Sequence, residues 1–433
     1  MKTVKIGLVG LGTVGRGVYD AIMNNGRLIA ERTGISLRIK SVCDKDKKAL
    51  KGIKAKVAVA SYDKIIADED IDIIVELIGG VEPAKSIILK AFKNGKHVVT
   101  ANKALLSEHW KEIFKAASDA GAFIKFEASV GGAIPIIRVL RESLVANNIS
   151  TIYGILNGTT NFILTEMSDK GCSFKEALKT AQERGIAESN PALDISGADS
   201  AHKLAILSLI AFGEDVSASD IYTEGIDRID PQDIRNAEKW GYGLKLLGIA
   251  KVAKSGLELR VHPTLIPSAH LLSDVKGSDN AIFVRGDLAQ EALLFGKGAG
   301  RKPTSSSVVS DIVDIARKII LSSGRNSMPH KLNYASTRKS VRCMDDLSVS
   351  CYLRFSVIDR PGVLAGIASI LAKNNISIAS VSQEERRAGE MVPVIIITHK
   401  AREGNMRKAI GVIDKLDYVK KRTVVIRIEE YKE

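Results

Sequence analysis

The chain opens on an alternation of apolar and polar positions from Val4 to Val9, followed by a glycine-rich turn and a helical pattern. Over residues 1–130, short apolar segments then alternate with stretches of helical periodicity. This rhythm predicts an α/β domain built on a doubly wound parallel sheet. The strands predicted after the first are LRIKSVCD ending at residue 44, IDIIVEL at 71–77, KHVVTA at 96–101 and AFIKFEA at 122–128.

A different order of elements occupies residues 349–433. The predicted elements are, in order, strand SCYLRFSVI, helix VLAGIASILAKN, two more strands, helix MRKAIGVIDKL and strand TVVIRIE. This βαββαβ order predicts a ferredoxin-like domain. Residues 326–348 are polar, basic and aperiodic, and we interpret them as a linker between this domain and the rest of the chain.

Composition narrows the class of protein. Hydrophobic residues make up 45% and charged residues 26% of the chain, as in ordinary soluble domains. Apolar runs long enough for a membrane span are missing from the sequence, so we expect no membrane partner. The four cysteines form no CxxC pair, which fits reduced thiols and argues against a structural zinc site. The N-terminus resembles a strand rather than a signal peptide, so we expect a cytoplasmic protein.

Net charge is +13, from 63 basic and 50 acidic residues. Such a balance is compatible with nucleic-acid binding. However, the lysines are spread along the chain and aromatic residues are only 5%, so the sequence has no visible stacking platform for bases. We expect a basic surface that serves anionic small molecules, and no nucleic-acid partner.

Three glycines, Gly10, Gly12 and Gly15, stand in G-x-G-x-x-G spacing between the first strand and its helix. In that setting they predict a dinucleotide site, with the pyrophosphate at the helix N-terminus beside Thr13 and Val14. The ribose selector is expected at the end of the second strand, where Asp44 stands. An acid favours NAD, whereas the neighbouring lysines would suit a 2′-phosphate, so the sequence leaves NAD against NADP open. These lysines are Lys45, Lys47 and Lys48.

Candidate chemistry lies further along the chain. Thr100 and Lys103 follow a predicted strand, at the edge where doubly wound sheets bind ligands. Asp199 and Lys203 lie one turn apart at the start of a helix that is apolar nearly all round. The pair is either a simple salt bridge or a proton-transferring lysine with its orienting acid. The acids of the preceding loop are expected to converge on a pocket and to suit an ammonium group; they are Glu183, Glu188, Asp194 and Asp199.

The turn FEASVGGAIPII places Glu127 beside irregular backbone. A carboxylate with outward carbonyl groups could hold a hard monovalent cation, although a turn leading into a helix explains the same residues.

Several strings in this chain together resemble the homoserine dehydrogenase family over residues 1 to 330. Besides the glycine turn they are ELIGG (76–80), TANK (100–103), FEASVGGAIPII, GILNGTTNFIL (154–164), D-x-x-G-x-D-x-x-H-K-L (194–204), VHPTLIP (261–267), NAIFVRGD (280–287) and GKGAGRKPTSSSVVSDI (296–312). Two departures are mild: Ala133 stands where glycine is common, and Ser305–Ser307 replaces an alanine-containing run. Neither replaces a side chain with an expected chemical role.

The resemblance implies NAD(P)-dependent interconversion of L-homoserine and L-aspartate 4-semialdehyde, in threonine and methionine biosynthesis. Lys203 would donate the proton to the carbonyl oxygen, and Lys103 would assist at that oxygen or at the substrate carboxylate. The substrate would be held by Glu188, Asp194 and Asp199. The cofactor would be touched by Gly10, Gly12, Thr13, Val14, Gly15, Thr100, Lys103, Gly185 and Gly300. A sodium ion would be held by Glu127 with Val130, Gly132 and Ile134.

The resemblance also implies a catalytic and dimerisation domain at residues 131–304, built on an open sheet, in a homodimer or homotetramer. A helix at 305–325 would return to the dinucleotide domain. DRPGVLAGIASILAKNNISI resembles an ACT domain, so we expect an amino-acid effector, with threonine as feedback inhibitor, at Asp359 to Gly362 with Asp359 or Asn374. Another Rossmann amino-acid dehydrogenase, and an amino-acid sensor that only binds, remain as alternatives.

Overall fold

The computed structural model describes residues 2–46, 48–54, 56–57, 61–322, 340–383 and 389–430. Lys47 and most of the predicted linker, residues 326–339, lie outside them. The chain divides into two compact units. The first comprises Met1–Ser150, Ser200–Ser219 and Asp279–Arg338, and the second comprises Thr151–Asp199, Asp220–Ser278 and Lys339–Glu433. Among the described residues, no helix is both long and apolar enough to cross a membrane.

The described part of residues 2–125 forms the alternating strands and helices that the sequence predicts, with the two-residue strand β3 in addition. The elements are β1 (Lys2–Val9), α1 (Thr13–Thr33), β2 (Ile35–Cys43), β3 (Lys56–Val57), α2 (Tyr62–Ile66), β4 (Ile73–Glu76), α3 (Ala84–Lys93), β5 (His97–Thr100), α4 (Lys103–Asp119) and β6 (Ile124–Lys125). The strands pair in the order β3-β2-β1-β4-β5-β6, all parallel. This is the order of a Rossmann sheet, and it brings the carboxyl ends of the strands to one edge.

The middle of the chain mixes helices with long antiparallel strands. Its elements are α5 (Ile136–Arg138), β7 (Ile149–Ile155), α6 (Gly158–Lys170), α7 (Phe174–Glu183), α8 (Ala192–Ile195), α9 (Ala198–Phe212), β8 (Tyr222–Thr223), α10 (Pro231–Lys239), β9 (Tyr242–Ala253), β10 (Gly256–Pro267), β11 (Asp279–Gly286), β12 (Gln290–Lys297) and α11 (Arg301–Ser322). Local signals set several boundaries: Asn157 caps α6, Ser173 forms a capping box with Glu176 on α7, and Asp230 caps α10 ahead of Pro231.

Helix α11 packs on α1 in the first unit. Apolar residues of α11, from Val308 to Ala316, join one buried cluster with residues of β1, β2 and α1. A parallel strand covered on both faces has no solvated side, and β1 is buried without a break from Ile6 to Val9.

The C-terminal elements are β13 (Ser348–Ile358), α12 (Val363–Lys373), β14 (Ile378–Ser382), β15 (Met391–Thr398), β16 (Ala401–Arg402), α13 (Glu403–Ile413) and β17 (Val419–Ile428). Their sheet runs β17-β13-β15-β14, with antiparallel pairing throughout. Both helices pack on one face of it, around a core of their own. The predicted ferredoxin-like fold is confirmed.

One feature of this region does not follow from the order of its elements. Strand β17 pairs in parallel with β10, through Thr264 with Arg427 and Leu265 with Ile428. The ferredoxin-like sheet therefore continues into the sheet of the middle region, in the order β7-β9-β10-β17-β13-β15-β14. The C-terminal region has its own core, but its last strand, β17, pairs with β10 on one side and with β13 on the other.

Candidate active site

The glycine turn between β1 and α1 has the shape that a dinucleotide needs. Gly10 has φ +97°, and a Cβ atom there would lie 2.6 Å from the carbonyl oxygen of Leu77. A Cβ atom on Gly15 would lie 1.9 Å from the carbonyl oxygen of Gly10, so the helix can pack this closely only with glycine. At Gly12, by contrast, a Cβ atom would meet nothing within 4 Å. That open space is where the backbone can approach a pyrophosphate.

The start of α1 suits the same ligand. Gly12 caps the helix without a side-chain hydrogen bond, and the first turn carries no acidic residue, so the amides at Thr13 and Val14 face no competing anion from that turn. Asp44 holds the turn from β2, because its carboxylate accepts hydrogen bonds from the backbone amides of Leu11 and Asp46. The residues present therefore fit a dinucleotide.

A buried polar network lies at the carboxyl edge of β4 and β5. Glu76 is fully buried, and its two carboxylate oxygens accept hydrogen bonds from the hydroxyl of Thr100 (2.7 Å) and the amide of Ile78 (2.7 Å). Thr100 Oγ1 in turn accepts from the backbone amide of Asn102 (3.1 Å). Asn102 caps α4 through the amide of Leu105 and donates to the carbonyl oxygen of Gly80.

This network sets the position of Lys103, the half-buried first residue of α4. Burial raises the pKa of the Glu76 carboxyl, and the hydrogen bonds from Thr100 and from the backbone partly offset that rise. Thr100 is expected at the cofactor, whereas no role is predicted for Glu76, although it ends a predicted strand and begins the string ELIGG (76–80).

Helix α9 carries both members of the pair that the sequence singled out. Asp199 is 5% exposed and Lys203 is 8% exposed, one turn apart on that helix. Next to the lysine, His202 Nδ1 lies 2.8 Å from Ser107 Oγ of α4. This contact fixes α9 to α4 next to Lys203.

One asparagine joins two of the predicted substrate acids in the second unit. Asn157 Nδ2 donates to Asp194 Oδ1 (2.7 Å) and to Asp199 Oδ2 (2.9 Å), while its own Oδ1 caps α6. The two carboxylates are therefore held side by side, an arrangement that can accept an ammonium group. In the sequence, Asn157 stands out only as part of the string GILNGTTNFIL (154–164) that carries the family resemblance. Glu183, Glu188 and Gly185 instead lie exposed, outside this group.

The predicted cation site shows oxygens that are already used. Glu127 accepts hydrogen bonds from the amides of Ile137 (2.8 Å) and Arg138 (2.9 Å), as a cap for α5. The carbonyl oxygens of Gly132 and Ile134 accept from Ser307 and Ile136. Among the described residues no group of three or more acidic, histidine or cysteine side chains could hold a metal. This donor set does not form a ready cage, and we derive no catalytic step through a cation.

Comparison with known proteins gives a consistent match along the whole chain. The family model for the homoserine dehydrogenase NAD-binding domain matches residues 10–127, that for homoserine dehydrogenase matches 135–313, and that for the ACT domain matches 352–417. The homoserine dehydrogenase of Neisseria gonorrhoeae is 44% identical over 433 residues, covering 99% of both chains. The chain belongs to the homoserine dehydrogenase family.

Other homoserine dehydrogenases agree. The enzyme of Pseudomonas aeruginosa is 42% identical, covering 99% of this chain and all of its own length. The crystal structure of a homoserine dehydrogenase from Thiobacillus denitrificans superposes with a TM-score of 0.93 at 43% identity, covering 99% of each chain. A hyperthermophilic archaeal homoserine dehydrogenase in complex with NADPH matches 73% of this chain, with a TM-score of 0.62 and 29% identity.

Family membership confirms the principal predictions from the sequence. The enzyme is an NAD(P)-dependent oxidoreductase with a Rossmann domain, a catalytic domain and an ACT domain. The match to the NAD-binding domain of the family accounts for the glycine turn. The role of each side chain stays a prediction.

Proposed function

We propose that this chain interconverts L-homoserine and L-aspartate 4-semialdehyde, with Lys203 as the acid that protonates the carbonyl oxygen. The observation that carries this proposal is the placement of Lys203 on the buried face of α9, one turn after Asp199. Bound NAD(P)H supplies the hydride. Negative charge then develops on the carbonyl oxygen, and an ammonium group nearby both stabilises that charge and gives up the proton.

The other side chains bind and orient the substrate. Lys103, at the first turn of α4, assists at the same oxygen or binds the substrate carboxylate. Asp194 and Asp199, held side by side by Asn157, accept the ammonium group, since two neighbouring carboxylates attract a cation and each can accept several hydrogen bonds. Glu188 lies exposed on the loop before α8, and its carboxylate is a further partner for the ammonium group, assigned by resemblance.

The cofactor is held by the glycine turn. Backbone amides at Gly12, Thr13 and Val14 would bind the pyrophosphate, and Gly10 and Gly15 let the turn close. Thr100 orders the edge near the nicotinamide through Glu76 rather than through a free hydroxyl. Gly300, with φ +118° just before α11, and Gly185, with φ +67° just after α7, are assigned to the cofactor by resemblance.

An absorbance assay for reduced nicotinamide tests this function. Purified protein with homoserine should form NADH or NADPH, and the reverse reaction should consume it. We expect both cofactors to work, with NADP slightly favoured by the lysines after Asp44, so initial rates with NAD+ and NADP+ decide the preference. Absence of turnover with homoserine and either cofactor would contradict the assignment.

A sodium ion at Glu127, Val130, Gly132 and Ile134 would have to compete with the hydrogen bonds that these groups already make. Glu127 caps α5 with both oxygens, so a cation would have to use remaining lone pairs or displace the helix amides. Rates measured in sodium buffer and in a buffer with a bulky organic cation should differ if the site is filled. Equal rates would leave Glu127 as a helix cap alone.

The ACT domain is assigned an amino-acid effector, for which we propose threonine. Gly362 caps α12 with φ +91° and open space around it, which exposes the helix N-terminal amides to a carboxylate. Asp359 lies just before it, and its carboxylate is a better partner for an ammonium group than the neutral amide of Asn374, because a charge-assisted hydrogen bond is stronger. The variant Asp359→Ala should keep uninhibited activity and lose inhibition by threonine.

Full-length enzyme that ignores millimolar threonine would refute this effector. Truncation after residue 345 is a poor alternative test, because it also removes β17 from its pairing with β10. For the assembly we propose a homodimer or homotetramer, to be measured by light scattering. We also propose a cytoplasmic location, since all four cysteines are free thiols.

A further inference from the structure

A buried arginine on β17 connects the ACT domain with the middle region. Arg427 is 6% exposed, and its Nε donates to Glu403, the first residue of α13. Its Nη1 donates to Glu224 Oε2 (2.7 Å) and its Nη2 to Glu224 Oε1 (3.2 Å). This two-pronged contact is the strongest geometry for an arginine and a carboxylate, and it holds the carboxylate in one orientation.

Glu224 lies in the short segment 222–226, which begins with β8. The amide of Glu224 donates to the carbonyl oxygen of Val261 on β10 (2.8 Å), so the backbone is held from one side. Tyr222 accepts a hydrogen bond from Arg427 Nη2 (3.1 Å) and donates to Glu224. Segment 222–226 therefore depends on the arginine of β17 for the position of its only acidic side chain.

The same segment packs directly against the end of α8. The amide of Ile226 donates to the carbonyl oxygen of Ile195 (2.9 Å). A Cβ atom on Gly225 would lie 2.3 Å from that carbonyl oxygen, and one on Gly197 would lie 3.0 Å from Thr223 Cγ2. Residues 222–226 and 195–197 are in direct contact, with no space between them. A shift of residues 222–226 must therefore move Ile195 and Gly197 as well.

Ile195 and Gly197 lie within the stretch that carries the substrate acids. Asp194 immediately precedes Ile195, and the amide of Gly197 donates to the carbonyl oxygen of Asp194 (3.0 Å). Asp194 is in turn joined to Asp199 by Asn157. The contacts thus run without a gap from the ACT domain to the two carboxylates.

We propose that the Arg427–Glu224 ion pair is a positioning pair that couples the ACT domain to the substrate-binding acids. It rests on the proposed function, because it takes Asp194 and Asp199 as the residues that hold the substrate. An effector that moves β17 or α13 changes the pull on Glu224 and thereby the spacing of the two acids. Coupling of this kind acts on substrate affinity, since none of these groups reaches the reacting carbonyl.

The variant Glu224→Gln tests the coupling with little risk to the fold. Removing Arg427 outright would leave the buried carboxylate of Glu403 without its cation, a change that can prevent folding. The glutamine keeps an oxygen that accepts from Arg427 but loses the ionic, two-pronged hold. We expect KM for homoserine to rise about five-fold, as when one hydrogen bond is weakened. We expect kcat and the KM for the cofactor to stay within about two-fold.

Glu258→Gln is the matched control. Glu258 on β10 accepts from Arg342 Nη1 (2.5 Å), so it also links the middle region with the segment leading into β13, but not through residues 222–226. A second variant, Arg427→Lys, keeps the charge beside Glu403 but cannot grip Glu224 with two nitrogens. Its effect on KM should resemble that of Glu224→Gln, and the double variant should show less than the sum of the two.

The outcomes separate cleanly. Unchanged KM for homoserine in both Glu224→Gln and Arg427→Lys, with wild type active, overturns the coupling and leaves the proposed function intact. An equal rise in KM for Glu258→Gln also overturns it, because the effect would then be general loosening. A wild-type enzyme inert toward homoserine would instead refute the proposed function, and threonine inhibition weakened only in the Glu224 and Arg427 variants would support the route to the effector.

Discussion

Glu76 and Thr100 are cross-strand partners on β4 and β5, and the hydroxyl of Thr100 donates to Glu76 Oε2 at 2.7 Å in a fully buried site. The pair lies at the edge of the sheet where Rossmann domains bind their ligands. A carboxylate buried this deeply is costly, and its cost should be visible in the pH dependence of stability.

The pKa of Glu76 is raised by burial from the ordinary value of 4.5. A carboxyl whose folded pKa is raised binds its proton more readily in the folded state, so its contribution to stability falls as pH rises from 4.5 through the folded pKa. Relative to wild type, Glu76→Gln should therefore gain stability over that window, as measured by urea denaturation at several pH values. Glu108→Gln, at an exposed position of α4, should give a curve parallel to wild type. Parallel curves for Glu76→Gln would contradict the prediction.

Gly12 and Gly15 should respond oppositely to the same substitution. Gly12→Ala puts a methyl group into open space, so thermal stability should stay near wild type while the KM for the cofactor rises at least about ten-fold. Gly15→Ala places a methyl group 1.9 Å from the carbonyl oxygen of Gly10, so the protein itself should lose stability. Thermal melts with and without cofactor distinguish the two, and a Gly12→Ala enzyme with unchanged cofactor KM would be evidence against the site.

Lys203→Ala should lower kcat by at least about 100-fold, the usual contribution of a positioned acid. The loss should not be accompanied by unfolding, which the far-UV circular dichroism and the thermal melt of the whole protein can check. Ser208→Ala is the control on the same helix: it removes a buried hydrogen bond to the carbonyl oxygen of Leu204 and leaves the lysine in place. Ser208→Ala should keep a kcat close to that of wild type. If Lys203→Ala also keeps a kcat within a few-fold of wild type, Lys203 is not the acid.

Lys245 provides a test of buried charge away from the active site. Burial, helped by the charge of Lys276, lowers its pKa from 10.5 to about 8, and its Nζ donates to the carbonyl oxygen of Val275 (2.6 Å). The unfolded chain holds the proton more tightly, so stability should rise by roughly 3 kcal/mol between pH 8 and 10.5 from this group. Lys245→Met should flatten that rise, whereas Lys254→Met in the exposed β9–β10 turn should not. A wild-type slope retained in Lys245→Met would assign the rise to other groups.

Much of this architecture is a local property of the sequence. The glycine turn can be predicted because a strand, three spaced glycines and the start of a helix follow one another directly in the sequence. The ferredoxin-like domain can be predicted because strands and helices differ in the spacing of their apolar residues, and the order βαββαβ is typical of that fold. The burial of helix α9 can be predicted because its apolar residues cover nearly the whole circumference of the helix.

Tertiary structure alone decided which partner each polar group has. Periodicity tells which face of an element is buried, but not what lies opposite, so Glu76 with Thr100 and Asn157 with Asp194 and Asp199 could not be foreseen. The same holds for Glu127, whose oxygens are used by α5 rather than standing open. Arg427 and Glu224 are 203 residues apart, and they meet because β17 continues the sheet beside β10. Strand edges carry no local signal of their neighbour, since backbone hydrogen bonds are the same for any sequence.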